Sequence, residues 1–441
     1  MTFSGGTRRA VLARWLAVAL TTMAIVGSVA IGSPTPARAR TLFEEGELTL
    51  ELRSAFKSTL LMSVPFYDDP ILYPDGVAGA GLFRLRFDLT ANLTEYFTAD
   101  VAYEHRVRAS SSGTTGSGIL PSSAPAPFRL AQIDQVIIDS GSYVHQHELD
   151  RAFLAIHLPF MELTLGRQAI GLGRGVLFSA VDVFAPFSPT EADREWRRGV
   201  DAIRADLRIP DISEISAGVI VAFGDVTEGD LSTYAVLGRV RAIVGDVDGE
   251  VMVGRRGEDN MVGAVISANL LDAEVHAELA LFGTDGQGID GGLFGTDAVV
   301  AKGVLGGSYV IDVGTGLRLN LEYHYSGFGV ENIGRDASIL TDPRFAERFA
   351  RGDSQLFGRH AIALAVSYTF IDELSGGLSY IQSPVDGSGV VGLGLTWDHS
   401  DNVVILLNAL VPWGSAPERG IPTSEWGSAP FSVYLQARIY D

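Results

Sequence analysis

Strict alternation of apolar and polar side chains is the feature that most constrains how this chain can fold. Residues 83–107 read FRLRFDLTANLTEYFTADVAYEHRV. Apolar side chains take every second position before the turn NLTE and again after it, and mostly polar side chains fill the positions between. A period of two residues is that of a β-strand, and each run has the length, about 9 to 11 residues, with which a tilted strand crosses a bilayer. The stretch therefore predicts a hairpin of two membrane-spanning strands.

The same alternation continues to the end of the chain and predicts an all-β protein of eighteen strands. The strands are expected near residues 47–57, 83–91, 96–107, 150–158, 162–168, 200–209, 215–223, 233–242, 247–255, 261–269, 273–282, 299–311, 317–326, 359–370, 373–382, 389–398, 403–411 and 430–440. Beyond residue 39, no uninterrupted apolar stretch is long enough for a transmembrane helix.

Short turns and longer loops alternate in phase along the chain. A tight turn follows every second strand, with the sequences NLTE, PF, PDIS, VGD, LLD, VGTG, ID and HSDN. The long connections lie between them, at 58–82, 108–149, 169–199, 283–298, 327–358 and 412–429. Outer-membrane barrels have short periplasmic turns and longer extracellular loops. We therefore predict a transmembrane antiparallel up-and-down β-barrel of about 18 strands over residues 40–441, with a short N-terminal periplasmic lead.

In such a barrel, the apolar face of each strand points toward lipid and the polar face toward the lumen. Backbone groups in hydrocarbon must be hydrogen-bonded, so strands span only within a closed sheet. Leu319 and Leu321 are accordingly expected outside, and Asn320 and Glu322 inside. The alternative is a secreted soluble β-protein, such as a propeller or a sandwich. A propeller is disfavoured because no fixed repeat period is visible. A sandwich is disfavoured because its strands would not keep short and long connections alternating along the whole chain.

The first 39 residues are typical of a cleaved signal peptide. Arg8, Arg9 and Arg14 precede an uncharged, mostly apolar run at residues 15–31, and ARA at 37–39 fits a small-residue cleavage site. A membrane anchor is the alternative, because the apolar run is at the lower limit for a spanning helix. Cleavage would change the formal charge from −20 to −24, since four arginines and no acid leave with the peptide.

Charge and composition exclude several functions. The chain has 33 basic and 53 acidic residues, and this balance excludes a nucleic-acid partner, which needs a basic face. It has no cysteine, and therefore no disulfide, thiolate chemistry or zinc-knuckle spacing. No HExxH, GxSxG or phosphate-binding loop is present, so we expect no enzyme, no cofactor and no metal site. His145 and His147 are expected in a loop, and two histidines without a further ligand do not predict a metal site. A catalytic site formed by a Ser, a His and an acid in the lumen is the minor alternative.

Charged side chains of both signs are predicted to line the lumen. Along the solute path we expect Arg84, Arg86, Arg106, Arg108, Arg151, Arg204, Arg208, Arg239, Arg241, Arg318, Glu274, Glu278 and Glu322. Basic residues crowd into the first eight strands, and acidic residues gain from the ninth onward. Walls of unlike charge would set a field that orients and selects polar solutes. The alternative is that these charges pair across the lumen and stiffen or plug it.

The loop at residues 169–199 is the predicted constriction. Its first part is too apolar to lie in water and its second part is charged. Folding inward would bury the first part and present charges to the solute, whereas the alternative is an external hydrophobic knot. The residues that we expect to form the constriction are Phe178, Asp182, Phe184, Glu191, Asp193, Arg194, Arg197 and Arg198.

The predicted extracellular loops are acidic. Loops 58–82, 224–231 and 283–297 contain Asp68, Asp69, Asp75, Asp225, Glu228, Asp230, Asp285, Asp290 and Asp297. Divalent cations that bridge to lipopolysaccharide would suit this charge. The expected partners are therefore outer-membrane lipid and lipopolysaccharide, the barrel-insertion machinery and a small solute. The sequence leaves open whether the barrel is a monomer or a trimer.

One segment resembles a known family. The string DRAFLAIHLPFMELTLGRQAIGLGRGVLFSAVDVFAPFSP starts at residue 150. It is similar to a strand, turn, strand and loop of Gram-negative porin-like barrels related to the alginate-export type, in which GRQ is followed by a glycine pair and by an Asp with a later Pro. The likeness covers residues 150–209 and departs at Leu172, where such sequences often have Trp. The resemblance implies a channel of the eighteen-strand type without naming its solute.

The sequence therefore predicts a channel in the outer membrane of a Gram-negative bacterium that passes small hydrophilic solutes, including anions. Two alternatives remain open at this point. One is an exporter of an anionic polysaccharide, which would need a continuous ladder of inward arginines. The other is a structural or adhesive barrel that transports nothing and binds surface partners through its loops.

Overall fold

The computed structural model describes residues 39–74, 76–111, 118–121, 127–131, 133–209, 212–225, 233–286 and 291–441. Its strands are β1 (Arg40–Glu45), β2 (Leu48–Val64), β3 (Ala78–Thr94), β4 (Phe97–Ser110), β5 (Gln135–Asp139), β6 (Tyr143–Leu158), β7 (Met161–Ala169), β8 (Gly199–Ile209), β9 (Ile212–Phe223), β10 (Tyr234–Val244), β11 (Val247–Arg256), β12 (Asp259–Leu270), β13 (Ala273–Gly283), β14 (Val299–Ile311), β15 (Leu317–Ser326), β16 (His360–Ile371), β17 (Leu374–Gln382), β18 (Gly389–Ser400), β19 (Val403–Trp413) and β20 (Phe431–Tyr440). Two short helices, α1 (Ala337–Leu340) and α2 (Pro343–Ala350), lie between β15 and β16.

Eighteen of these strands form one closed antiparallel barrel, which confirms the predicted fold. Consecutive strands pair from β6 to β20, β2 pairs with β3 and β3 with β4, and β4 pairs directly with β6. The seam closes where β2 pairs with β20, from Ala55 opposite Tyr440 to Val64 opposite Phe431. Closure leaves the wall without an edge that would expose unpaired backbone groups.

Side chains alternate between the two faces of the wall as the sequence predicts. On β15, Leu321 is 56% exposed on the outer face, and its neighbour Glu322 is 1% exposed on the inner face. On β13, Leu279 is 50% exposed and Ala280 is completely buried. An outer face of exposed aliphatic side chains is what a barrel in lipid requires.

The first strands extend further than predicted. β2 continues to Val64 and β3 begins at Ala78, so the loop predicted at 58–82 is only the segment between them. The alternation fails in this region because both faces are apolar: Leu60 and Leu61 are both buried, and Leu61 packs against Leu82. Other chain segments cover the inner side of this part of the wall, so its inner face needs no polar side chains and the alternation is lost.

Two strands were not predicted. β1 pairs with Leu48–Leu52 of β2 and continues the seam beyond the point where β20 ends. β5 pairs with residues 144–147 near the start of β6. β4 pairs with the same residues along the other edge of β6. β5 and the start of β6 lie inside the predicted loop 108–149, where short apolar runs give too little period to predict a strand.

The long-loop end also contains α1 and α2, in the connection predicted as the loop 327–358. Phe345 of α2 is buried against Val330 and Ile333 of the same connection. Among the described residues, no helix has the length and hydropathy needed to cross a bilayer. The predicted signal peptide, apart from Ala39, lies outside the described residues, as do the acids Asp75, Glu228, Asp230 and Asp290.

Candidate functional site

A network of buried ion pairs covers the inner wall formed by β3, β4 and β6. Arg84 donates to both oxygens of Glu104, at 2.8 and 2.9 Å, and Arg106 lies 2.9 Å from Glu148. In the strand register, Arg84 is opposite Arg106 and Glu104 is opposite Glu148. Among these four residues, like charges face each other directly and opposite charges lie on diagonal neighbours, which long side chains still reach.

This network corrects part of the predicted solute path. Arg84, Arg86, Arg106, Glu278 and Glu322 point inward as predicted, but each is at most 5% exposed. They are covered by the connecting loops, and each has a partner, because an unpaired buried charge would cost several kcal/mol. The inward-folding segment at 170–198 supplies partners for Arg84, Glu278 and Glu322. Arg86 and Arg106 pair with acids of the wall strands. A solute in the lumen therefore does not meet these five side chains.

A second group of predicted residues forms half-buried ion pairs on β8, β10 and β11. Arg204 donates to Asp206 at 2.6 Å. Asp206 also pairs with Arg239, which lies 3.3 Å from Glu250. These charges alternate in sign along the inner wall and remain partly open to the lumen. These ion pairs join residues of the same strand or of nearby strands, so they do not pair across the lumen as the alternative interpretation of these charges required.

The remaining predicted residues of the solute path lie at different heights of the barrel. Those exposed near the short-turn end are Arg208, Glu274 and Arg318. Those half-buried at other levels are Arg108, Arg151 and Arg241. Because this third group is spread along the barrel, the structure does not bring the predicted residues together as one continuous row.

Residues 170–198, here called the inward loop, fold into the barrel. Val181, Val183 and Phe184 are buried against Leu237 and Met252, which occupy the inner face of β10 and β11. Of the two alternatives for this loop, inward folding is therefore what the structure shows. Burying this apolar segment against an apolar section of the inner wall removes both surfaces from water.

Two wall carboxylates hold the first half of the inward loop. Glu278 of β13 accepts hydrogen bonds from the backbone N–H groups of Gly175 and Ala180, at 2.8 and 2.7 Å. Glu322 of β15 accepts from the N–H groups of residues 177 and 178, at 2.9 and 3.1 Å. The loop backbone thus wraps around both carboxylates, and these charge-assisted hydrogen bonds fix its position.

Ion pairs hold the second half of the inward loop against β2 and β3. Lys57 Nζ lies 2.9 Å from Asp193 Oδ1 and 2.8 Å from Glu195 Oε2. Arg84 Nη1 lies 2.8 Å from the other oxygen of Asp193. Trp196 packs among these cations, with Lys57 Nζ 3.5 Å from its ring centroid. The aromatic face adds a cation–π contact to a site from which water is largely excluded.

The inward loop leaves cationic side chains partly open to the lumen. Arg194 and Arg197 lie over the ring of Phe187, at 5.5 and 4.8 Å from its centroid. The Arg197 side chain is 24% exposed, whereas its partner Asp182 is 3% exposed. Among the described residues, Arg194 has no ion-pair partner within 4.0 Å. Glu195, with a 34% exposed side chain, is the accessible acid of this segment and is paired with Lys57 and Arg438. The accessible charge without an ion-pair partner among the described residues of this segment is therefore the positive charge of Arg194.

The prediction that the charged part of the inward loop faces the solute is wrong for Asp182 and Asp193. Both are buried and are held by cations. Burial is the largest influence on the pKa of Asp193 and would raise it, but the charges of Arg84 and Lys57 outweigh burial and lower it. Asp193 therefore stays ionised and has a structural role, because it binds the cations that hold the loop.

Glu191 and Arg198 of the predicted constriction are largely covered as well. Burial raises the pKa of Glu191. Burial also lowers the pKa of Arg198 to about 10, although Glu148 opposes this shift from 3.6 Å. Arg198 therefore stays protonated near pH 7.

Residues of the GRQ string have a structural role. Arg167 donates to both oxygens of Asp201, at 2.8 and 3.0 Å, and to the carbonyl oxygens of Leu149 and Ala131. Gln168 donates to the carbonyl oxygen of Ala202 at 3.1 Å. These bonds tie the start of the inward loop to the neighbouring strands and loops. Sequence reasoning missed Asp201 and Glu148 because their partners come from distant segments.

The predicted loop position of His145 and His147 is wrong, since both lie on β6. His145 Nε2 lies 3.2 Å from His105 Nδ1 on β4. β6 begins at Tyr143, earlier than the alternation predicts, because its upper part has polar residues on both faces. Within the part of the chain that the structure describes, no group of three His, Asp or Glu side chains is arranged to hold a metal ion.

Comparison with known proteins identifies the fold and no more. No protein-family model matches the chain, and no curated protein sequence matches it. Solved outer-membrane porins share its architecture. OccAB1 of Acinetobacter baumannii matches with a TM-score of 0.55 at 7% identity, over 93% of this chain and 99% of that one.

Two further structures give the same result. OccK9 (OpdG) of Pseudomonas aeruginosa matches with a TM-score of 0.54 at 10% identity, over 89% of this chain and 98% of that one. OccAB4 of Acinetobacter baumannii matches with a TM-score of 0.52 at 9% identity, with the same coverage of both chains. At this identity the likeness establishes the barrel architecture alone.

Proposed function

We propose that this chain is a channel in the outer membrane of a Gram-negative bacterium through which small hydrophilic solutes, anions among them, pass by diffusion or facilitated passage. The observation that carries the proposal is the inward loop. It folds into a closed 18-strand barrel and is fixed to the wall at both of its halves. A loop fixed across a barrel that is too wide to be filled by wall side chains narrows the lumen.

The preference for anions is supported by the accessible charge at the inward loop. Arg194 and Arg197 are partly exposed, and the acid that balances Arg197 is buried. The exposed acid of the same segment, Glu195, is paired with Lys57 and Arg438. A positive potential at the narrow part of a pore raises the local concentration of anions and lowers that of cations. Polar solutes without charge would be selected mainly by size.

Several partners belong to the same proposal. The exposed aliphatic outer face would contact outer-membrane lipid, and the acidic loops would contact lipopolysaccharide through divalent cations. The alternating last strand β20 would be delivered to the barrel-insertion machinery. The relation to alginate-export barrels rests on the resemblance at residues 150–209. No observation favours polysaccharide export, because Arg84, Arg86 and Arg106 are buried in ion pairs rather than exposed as a ladder.

Planar-bilayer recording under a salt gradient tests the proposal. We expect ohmic conductance with a reversal potential that shows anion preference, and Arg194→Gln should shift it toward cations. Arg335→Gln is the matched control, because Arg335 lies in an exposed loop with a 64% exposed side chain. A silent barrel would support a structural or adhesive role, and block by uronate oligomers would support export.

A further inference from the structure

A cavity of about 490 Å³ lies at the long-loop end, between the loops and the upper inner wall. It is here called the vestibule cavity, and its lining includes Tyr73, Pro189, Phe349, Phe357, Glu425 and Trp426. The tip of the inward loop contributes Pro189, so the cavity adjoins the segment that narrows the barrel. Its size is within the range of cavities that hold small organic molecules.

The walls of the vestibule cavity are mainly apolar and aromatic. Phe349 and Phe357 stack with their ring centroids 4.8 Å apart. Leu356 and Trp426 belong to one buried cluster beside them. Aromatic rings carry negative potential on their faces, and they attract cations more strongly where water is excluded.

Glu425 is the one ionisable acid among the described residues that line the cavity, and that lining contains no lysine, arginine or histidine. Its carboxylate accepts hydrogen bonds from the backbone N–H groups of Phe357 at 3.0 Å and Gly358 at 2.6 Å. The neighbouring acid Asp386 accepts from the backbone N–H of Glu425 at 2.9 Å. The two amide donors orient the carboxylate but provide no counter-charge.

Burial raises the pKa of Glu425 to about 7, with a smaller contribution from the charge of Asp386. A buried acid without a basic partner, in a cavity of this size, is a common mark of a binding site. Among the described residues that line the cavity, none is a cation that could neutralise Glu425.

We propose that the vestibule cavity binds a small organic cation, namely an ammonium ion that carries an apolar or aromatic group. The apolar group would pack against Phe349 and Phe357, and the ammonium would meet the Glu425 carboxylate. Binding at this site does not require that the cation cross the barrel, so the inference goes beyond the proposed channel.

Other ligand classes fit the cavity less well. An anion would face Glu425 without any basic side chain among the described lining residues to receive it. An uncharged aromatic molecule would gain from apolar burial but would leave the carboxylate unpaired. A sugar would lose hydrogen bonds with water along a lining that is mostly apolar.

Calorimetric titration of the purified protein in detergent micelles tests this site at pH 8, where Glu425 is largely ionised. The probes are benzyltrimethylammonium, benzyl alcohol and benzoate, which share one ring and differ in charge. We expect the ammonium to bind at least about tenfold more tightly than benzyl alcohol, and benzoate to bind most weakly. Equal affinity for the three probes would overturn the proposal.

Two variants locate the binding. Glu425→Gln should weaken the ammonium about tenfold and change benzyl alcohol by about twofold at most. Glu418→Gln, an exposed glutamate of the same loop, is the matched control and should change neither. Ala429→Phe fills part of the cavity and should weaken both probes. Unchanged ammonium affinity in Glu425→Gln or in Ala429→Phe would place the binding elsewhere and refute the site.

The same preparations separate this proposal from the channel. Heat-dependent migration on a denaturing gel shows whether each variant is a folded barrel. Conductance without any probe then reports on the channel alone. If Glu425→Gln does not fold, the Ala429→Phe titration decides the question.

Discussion

The inner wall contains ionised side chains that solvent barely reaches. Glu104 is the clearest case, since its carboxylate is 0% exposed and binds Arg84 and Arg106. Taking a carboxylate and a guanidinium out of water is costly, and the cost is offset only when every charge has a partner. Removing one member is therefore expected to cost more than the pair itself contributes.

Glu104→Gln tests this at a single residue. It leaves Arg84 and Arg106 short of a buried counter-charge, and we expect the free energy of unfolding to fall by about 3–5 kcal/mol. The measurement is urea unfolding of the refolded barrel in detergent micelles. The control is Glu162→Gln, because Glu162 pairs with Arg208 at 3.7 Å in an exposed position and should contribute less than about 1 kcal/mol. Similar effects from both changes would contradict the account.

Glu425 makes the loop at 414–430 sensitive to pH. Its pKa is raised from 4.5 to about 7 in the folded chain, so the folded state prefers the neutral acid. The resulting stabilisation is present below pH 4.5 and is lost as the pH rises to about 7, with a total of about 3 kcal/mol.

Hydrogen exchange of the Phe357 and Gly358 amides reports on this loop. After correction for intrinsic exchange, their protection in the unmodified protein should fall between pH 4.5 and 7. In Glu425→Gln the same amides should show no step over this interval. A parallel pH dependence in both proteins would show that Glu425 is not the responsible group.

Among the structural elements, the inward loop is the one whose position decides the shape of the lumen. Its backbone donates to Glu278 and Glu322, which come from different strands of the wall. The loop has little regular structure of its own, so these carboxylates replace the hydrogen bonds that a strand or helix would supply. His276 Nε2 of the wall also lies 3.3 Å from Glu322 Oε1.

The double change of Glu278→Gln and Glu322→Gln should loosen the inward loop. Each amide keeps one acceptor oxygen and loses the charge, so several backbone N–H groups lose a strong partner. Single-channel recording should then show larger and noisier conductance than the unmodified channel. Glu274→Gln on the same strand as Glu278, near the short-turn end, is the control. An unchanged trace in the double variant would mean that packing alone holds the loop.

At the level of the whole molecule, the alternation of faces separates lipid from lumen. Leu395 of β18 is 46% exposed on the outer face, and Thr396 is its inward neighbour. Leu395→Arg should destabilise the barrel folded in a bilayer by about 2–4 kcal/mol, because a charge near mid-strand must enter hydrocarbon. Thr396→Arg should have a much smaller effect. Vesicle refolding under a denaturant series measures both, and equal losses would argue against a lipid-facing outer wall.

The order of the strands could be predicted from sequence to a large extent. Each of the eighteen predicted strands corresponds to a barrel strand, because alternation and turn length repeat at every hairpin. The prediction failed where the local pattern stops. The last part of β2 is mainly apolar on both faces, the first part of β6 is polar on both faces, and β5 is a single short run, so none of the three shows a period of two.

The candidate site was much less accessible to prediction. Arg84 and Arg86 point inward as their positions in the alternation require, yet they are buried. Alternation reports which face a side chain occupies and carries no information on what covers that face. The predicted inward folding of the loop follows from its apolar first half, whereas the burial of Asp182 and Asp193 depends on partners outside the pattern.

By itself, the sequence determined the barrel: the period of two assigns each side chain to lipid or lumen, and the alternating connections assign each turn to one end. Only the tertiary structure decided which charges are sealed in pairs and which remain open. Lys57 and Asp193 are separated by 136 residues and meet because the inward loop crosses the lumen to the seam of the barrel. Such long-range pairing depends on the positions of whole segments in space, and neither periodicity nor spacing along the chain encodes it.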